Sequence, residues 1–225
     1  MTKGIRRIIP NVLTCCNLIS GCIATKFAFD KEYEYALIFI VIGAVVDFFD
    51  GMSARLLKVS SPIGKELDSL ADDITFGFAP SAMIYALLTQ MVYPDFLSGT
   101  EMWLPYLAFI MAAFSGVRLA KFNLDERQTT TFIGLPTPAN ALFWGSLITT
   151  FGTDLIFKSW LVPVIIIGML LFSFFLIAEI PLFSLKFKNL AWKNNKIRFV
   201  FIAGCLLILI LLQAKGISAC IAWYI

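Results

Sequence analysis

Histidine is absent from this 225-residue chain, and charge is scarce: Asp, Glu, Lys and Arg together make up 15% of it. The missing imidazole removes histidine metal sites, histidine bases and histidine-ligated haem, so a metal here must be held by oxygen or thiolate. The low charge excludes a surface built to face water, since soluble domains carry roughly 25% charged and about 45–50% apolar residues. Here 59% of residues are hydrophobic and the mean hydropathy is +0.84. CxxC spacing is missing too. The five cysteines, Cys15, Cys16, Cys22, Cys205 and Cys220, lie in apolar stretches near the two ends. An odd number in such surroundings reads as packing residues rather than a disulfide framework or a zinc site. Internal repeats, low-complexity segments and nucleic-acid motifs are also lacking, so no nucleic-acid partner is expected.

What fills the chain is a series of apolar runs at 36–46, 102–117, 161–178 and 199–212. Such runs place it among polytopic α-helical membrane proteins. They predict an all-α bundle with helices at about 12–28, 33–57, 66–93, 101–121, 137–152, 158–184 and 196–213. An apolar tail at 216–225 falls short of the ~20 residues that a span needs. One integral membrane domain over residues 1–225 is expected. Lys3, Arg6 and Arg7 precede the first run, but no small-residue cleavage motif follows and further spans do, so the segment is not read as a signal peptide.

Basic residues in alternate loops set the orientation. Fourteen of the eighteen fall on one side: Lys3, Arg6 and Arg7; Arg55, Lys58 and Lys65; Arg118, Lys121 and Arg127; then Lys186, Lys188, Lys193, Lys196 and Arg198. The other side receives Lys26, Lys31, Lys158 and Lys215. The N-terminus and the turns after the second, fourth and sixth helices are therefore expected in the cytoplasm. The absence of organellar signals points to a bacterial inner membrane.

The most informative stretch runs from Asp47 to Asp73. Asp47 and Asp50 are three residues apart near the end of the second helix, and Asp68 and Asp72 are four apart at the start of the third. These spacings put each pair on one helix face. Pro62 and Gly64 between them predict a short turn and antiparallel neighbours, which brings the four carboxylates to one depth. A carboxylate at the bilayer centre costs about 2.5–3.5 kcal/mol, and like charges repel, so four acids call for a cation. Oxygen donors favour hard ions such as Mg²⁺ or Mn²⁺, and two acidic pairs can hold two of them. Asp73, one residue off that face, is expected to be solvated or hydrogen-bonded elsewhere.

The small residues Gly51, Ala54 and Gly64 allow a bulky ligand to lie close to backbone, and Arg55 offers a donor fork suited to phosphate oxygens. Two ions with an arginine describe a phosphoryl-transfer site. The competing account is a charged turn whose acids pair with Arg55, Lys58 and Lys65, which would not need this spacing. A divalent-cation transporter would also need intramembrane acids, but its polar groups should continue to the far side, and these cluster on one.

The pattern Asp47-x2-Asp50-Gly51-x2-Ala54-Arg55-x8-Gly64-x3-Asp68-x3-Asp72 resembles the signature of the CDP-alcohol phosphotransferases, integral membrane enzymes of phospholipid synthesis. The resemblance implies a six-helix core at about 10–184 with one or two added helices at about 196–225. It implies that Asp47, Asp50, Asp68 and Asp72 bind two divalent ions and that Asp72 is also the general base. It further implies that Gly51, Ala54, Arg55, Gly64 and Asp68 cradle the CDP portion, and that the enzyme is a homodimer.

Three further stretches resemble the phosphatidylserine synthase branch of that family: Pro10-Asn11-x-Leu13-Thr14-x2-Asn17-Leu18-x2-Gly21, Arg118-Leu119-Ala120-Lys121-Phe122-Asn123, and Gly134-Leu135-Pro136-x-Pro138. Lys121 stands where that branch usually has arginine. This resemblance implies transfer of a phosphatidyl group from CDP-diacylglycerol to the hydroxyl of L-serine, giving phosphatidylserine and CMP. Asn17 would then contact the nucleotide, and Arg118, Lys121 and Asn123 the acceptor; the alternatives are a helix tie for Asn17 and positive-inside anchoring for Arg118 and Lys121. Glycerol 3-phosphate or an inositol phosphate is the alternative acceptor, though either would call for a denser cationic pocket.

The remaining features are blander. Glu179 is expected inside the bundle or close to the cytoplasmic interface. The basic segment 186–198, with Phe187, Leu190 and Trp192, suits an anionic leaflet or a plain orienting loop. Phe172–Phe175 reads as lipid-facing or packing material.

Overall fold

The computed structural model describes residues 3–59, 61–124, 132–182, 192–212 and 216–224. The described residues are mostly helical, with a pair of two-residue strands. Its helices are α1 (Lys3–Phe29), α2 (Tyr33–Leu57), α3 (Pro62–Asp72), α4 (Ala79–Leu88), α5 (Phe109–Leu124), α6 (Thr137–Ile156), α7 (Leu161–Ile177), α8 (Trp192–Leu212) and α9 (Gly216–Tyr224).

α1 and α2 form a closely packed antiparallel pair joined by a turn in which Lys31 takes φ 68°. Small residues make the close approach possible, as is usual where helices associate without a hydrophobic driving force. A methyl group on Gly21 would stand 2.4 Å from Thr75 Oγ1 and 2.8 Å from its Cα, and one on Gly43 would stand 2.5 Å from Thr75 Cγ2. Thr75 Oγ1 donates to the Asn17 carbonyl at 3.0 Å, which locks this three-way contact.

The turn between α2 and α3 is as short as Pro62 and Gly64 predict. Lys58 ends α2 in the left-handed region at φ 51°, Ser61 caps α3 by accepting from Gly64 N at 3.0 Å, and Pro62 opens the helix. Proline at that position gives up only an N–H that would have no partner.

The third predicted helix is the one that departs most. Asp73–Phe78 is a π-helical turn between α3 and α4, with Ala79 N–H reaching back five residues to the Ile74 carbonyl. Pro80 follows at once and has no N–H for the carbonyl four residues back, so the wider turn accommodates a break in the ladder. Beyond it α4 runs through the centre of the bundle with nine buried residues, Met83, Ile84, Leu87 and Leu88 among them.

The outer faces stay apolar where no helix covers them: Ile19, Phe48, Ile167, Leu171, Leu207 and Ile210 are all exposed. Segments Ile8–Phe29, Tyr33–Leu57 and Leu104–Leu124 are each long and apolar enough to cross a bilayer. The protein is an integral membrane protein.

Several boundaries differ from those read off the sequence. α1 begins at Lys3 and passes through Pro10 without a break. α7 stops at Ile177, not near 184: the chain turns extended at Ala178, and Pro181 has no N–H for the Ile177 carbonyl and would clash with it in a continued helix. Pro181–Leu182 then pairs antiparallel with Phe132–Ile133. At the adjoining Gly134, φ is 78°, and a methyl group would meet the Leu176 carbonyl oxygen at 2.6 Å. Glu179 lies beyond the end of α7 and is exposed rather than interior. The tail 216–224 is a nine-residue helix packed on α6 and α8. At 1.5 Å per residue it spans only about half of the bilayer core. Cys15, Cys16 and Cys22 are exposed on α1 instead of packed, whereas Cys220 Sγ sits 3.6 Å from the Cys205 carbonyl. Arg127, Lys215 and residues 186–191 of the basic segment lie outside the described residues.

Candidate metal and phosphate site

The turn between α2 and α3 brings Asp47 and Asp50 opposite Asp68. One carboxylate oxygen from each lies within 4.8 Å of the other two. The Asp47 and Asp68 carboxyls are in hydrogen-bonding contact, and Asp50 acts electrostatically on both. Among the described residues no Lys or Arg forms an ion pair with any of the three. Arg55 Nε donates instead to the Gly51 carbonyl at 3.0 Å, and Lys65 Nζ to the Asn123 carbonyl at 2.7 Å. The account in which these acids merely pair with neighbouring bases therefore does not describe this site.

Three converging carboxylates without a compensating base, on half-buried helix faces, are a donor set that fits a hard divalent cation. Asp50 is held in place by a residue from a third helix: Thr14 Oγ1 donates to Asp50 Oδ2 at 2.7 Å.

Asp72 lies one turn beyond Asp68 but outside the close trio. Its Oδ1 accepts from Asn17 Nδ2 at 3.2 Å, and the charges of Asp47 and Asp68 still act on it. Asn17 is fully buried, and its Oδ1 has no hydrogen-bond partner. Asp73 points elsewhere, toward Gly77, Gly116 and Ser115 of α5.

Beside the trio opens a cavity of about 260 Å³. Gly51, Ala54 and Gly64 form part of its wall, together with Asp50 and Asp68. Pro10, Asn11 and Thr14 of α1 complete one side, and Val59, Ser61 and Lys65 the other. A methyl group on Gly64 would stand 3.0 Å from both Asn11 Oδ1 and Ser61 Oγ, so glycine keeps this wall back. Asn17 and Arg55 do not line it.

The sequence motif contains Asn11 and Thr14 but assigns neither a task, and neither Ser61 nor the contact that Lys65 makes is foreseen by it. The available signal was the spacing 10, 14, 17, 21, which puts Pro10, Thr14, Asn17 and Gly21 on one stripe of α1.

The end of α5 reaches the same region. Asn123 Nδ2 donates to Ser69 Oγ of α3 at 2.8 Å, so this side chain ties α5 to α3. Lys121 is exposed at the helix end. Arg118 is buried, its guanidinium 5.3 Å from the centre of the Phe122 ring, with Nη1 donating to Thr137 Oγ1 at 3.5 Å. It also lies within the field of the Asp72 carboxylate. Acids, cavity and arginine thus share one end of the bundle.

Residues 7–151 match the sequence profile described as CDP-alcohol phosphatidyltransferase. The chain is 37% identical over 134 residues to a CDP-diacylglycerol–serine O-phosphatidyltransferase of Bacillus subtilis, covering 58% of this chain and 69% of that protein. It is 30% identical over 187 residues to a protein of the same name from Mycobacterium leprae, covering 78% of this chain and 58% of the relative. An archaetidylserine synthase of Methanothermobacter thermautotrophicus is 28% identical over 145 residues, 63% of this chain and 58% of that one.

Proposed function

The chain belongs to the CDP-alcohol phosphatidyltransferase family, and on that premise we propose that it transfers the phosphatidyl group of CDP-diacylglycerol to the hydroxyl of L-serine, forming phosphatidylserine and CMP. The observation that carries this reading is the Asp47, Asp50 and Asp68 trio opening onto a small-residue cavity. The names of the relatives described above, two CDP-diacylglycerol–serine O-phosphatidyltransferases and an archaetidylserine synthase, support the choice of acceptor.

In this reading Asp47, Asp50, Asp68 and Asp72 hold two divalent cations, Mg²⁺ or Mn²⁺. When bound, such ions neutralise the diphosphate oxygens and stabilise the departing CMP. Gly51, Ala54 and Gly64 let the diphosphate lie against backbone, with Arg55 closing on the nucleotide side and Asn17 holding Asp72 behind it. Arg118 holds the serine carboxylate, with Lys121 and Asn123 at the rim. Asp72 accepts the proton of the serine hydroxyl as its oxygen attacks the β-phosphorus. The new O–P bond forms as the bond to the bridging oxygen breaks, and that oxygen leaves with CMP. The acids and Arg118 face the cytoplasm of a bacterial inner membrane, which lets a soluble acceptor meet a lipid donor. Residues 10–184 form the catalytic core, 196–225 are peripheral, and two copies assemble as a homodimer.

The test is a purified-enzyme assay with CDP-diacylglycerol and labelled serine, glycerol 3-phosphate or inositol phosphate. Phosphatidylserine and CMP in equal amounts, abolished by chelation, are expected. Product from a phosphorylated acceptor with none from serine would overturn the choice of acceptor. Ion flux in liposomes without CMP release would overturn the reaction itself.

A further inference from the structure

Asn140 on α6 is fully buried, and neither its Oδ1 nor its Nδ2 has a hydrogen-bond partner. A primary amide can donate twice and accept twice, so this side chain carries four unmet positions in the interior. Groups of this kind are expensive to bury unless something completes them. Its location suggests what does. Thr137, one turn earlier on the same face of α6, is fully buried and receives the guanidinium of Arg118. Residues three apart on a helix have Cβ atoms about 5–6 Å apart. α5 and α6 both pack on the π-helical turn that follows Asp72. A cation and an uncharged, two-sided amide therefore stand one turn apart beside the proposed general base.

We propose that Asn140 recognises the amino group of the acceptor amino acid, accepting from the ammonium through Oδ1, while Arg118 and Thr137 hold the carboxylate. The inference rests on the serine-transferase reading given above and assigns it a specificity residue. An α-amino acid carries its carboxylate and its ammonium on one carbon, so the groups that hold them must stand close together, as residues one turn apart on a single helix face do. An amide suits the task better than a second carboxylate would, because it adds no negative charge beside four aspartates. A phosphorylated alcohol has no ammonium to offer and would leave Asn140 unpaired.

The test uses the full-length protein in detergent and compares the parent with Asn140→Leu and Asn140→Ser. Serine KM is expected to rise tenfold or more in both variants, with the KM for CDP-diacylglycerol within twofold of the parent. The parent should prefer serine to 3-hydroxypropionate, which lacks the ammonium, and that preference should collapse in the variants. Asn140→Leu should melt at or above the parent temperature, since it removes an unpaired amide without opening a cavity. If it fails to fold, Asn140→Ser carries the test alone. An unchanged serine KM in a folded variant, as when a buried water alone completes the amide, overturns the inference, and so does an equal rise for both substrates. No product from serine in the parent overturns the underlying reading instead, so the two failures are told apart.

Discussion

Thr14 on α1 and Asp50 on α2 are joined by a buried hydrogen bond of 2.7 Å, which fixes the orientation of one of the three clustered carboxylates. A hydroxyl aimed at an ionised ligand orients it and limits the geometries it can offer a cation.

Removing that hydroxyl should therefore weaken metal binding more than folding. Thr14→Val keeps the shape of the side chain and deletes the donor. The concentration of Mg²⁺ or Mn²⁺ needed for half-maximal activity should rise about tenfold, in line with other outer-shell changes. Activity should recover largely at excess metal. A metal titration identical to the parent would show that Thr14 does not position Asp50.

The aspartates themselves separate into two roles. Asp68 belongs to the close trio, while Asp72 stands outside it on Asn17. Asp68→Asn should lose measurable activity together with metal binding. Asp72→Asn should lose about 10²–10⁴-fold in kcat, the range associated with a general base, while calorimetry with Mn²⁺ still reads the ion held by Asp47, Asp50 and Asp68 and misses the one that needs Asp72. Full activity in both variants would remove the mechanism.

The acidic site was the most legible part of the chain, because spacings of three and four fix a helix face whatever the neighbours do. Asp73 was correctly set aside from that face, and it turns toward Ser115 and Gly116. Less legible was everything that depends on a second helix. That Asn17 would reach Asp72 rather than line the cavity follows from Gly21 and Gly43 letting α1, α2 and Thr75 close together, which no single-helix pattern reveals. The π-helical turn at 73–78 leaves hydropathy unchanged, so residues 66–93 read as one helix. The strands at 132–133 and 181–182 are too short to carry a periodicity, and only Pro181 hinted that α7 stops early.

Two glycines allow folding and substrate binding to be separated. A methyl group on Gly21 would collide with the backbone of Thr75 at 2.8 Å, whereas one on Gly51 would meet nothing nearer than Arg55 Nη2 at 4.0 Å. Gly21→Ala should destabilise the protein by about 1–3 kcal/mol, the usual cost of overpacking, and lower its melting temperature in detergent. Gly51→Ala should leave melting unaltered and raise the KM for CDP-diacylglycerol, because the added methyl projects into the cavity wall. Equal melting temperatures for both variants would contradict the packing described between α1 and Thr75.

Arg118 offers the sharpest contrast between charge and geometry. Its guanidinium is buried between Phe122 and Thr137 and faces the charge of Asp72. Arg118→Lys keeps the charge but gives up the planar fork that matches a carboxylate, so serine KM should rise about tenfold while the KM for CDP-diacylglycerol is held. Arg118→Ala should do more, because it removes the buried positive charge that faces Asp72 as well as the fork. Its kcat should therefore fall along with serine affinity, and added guanidinium should restore part of the rate if the fork alone is missing. A serine KM that is the same in parent, Arg118→Lys and Arg118→Ala would place the acceptor carboxylate somewhere other than the gap between α5 and α6.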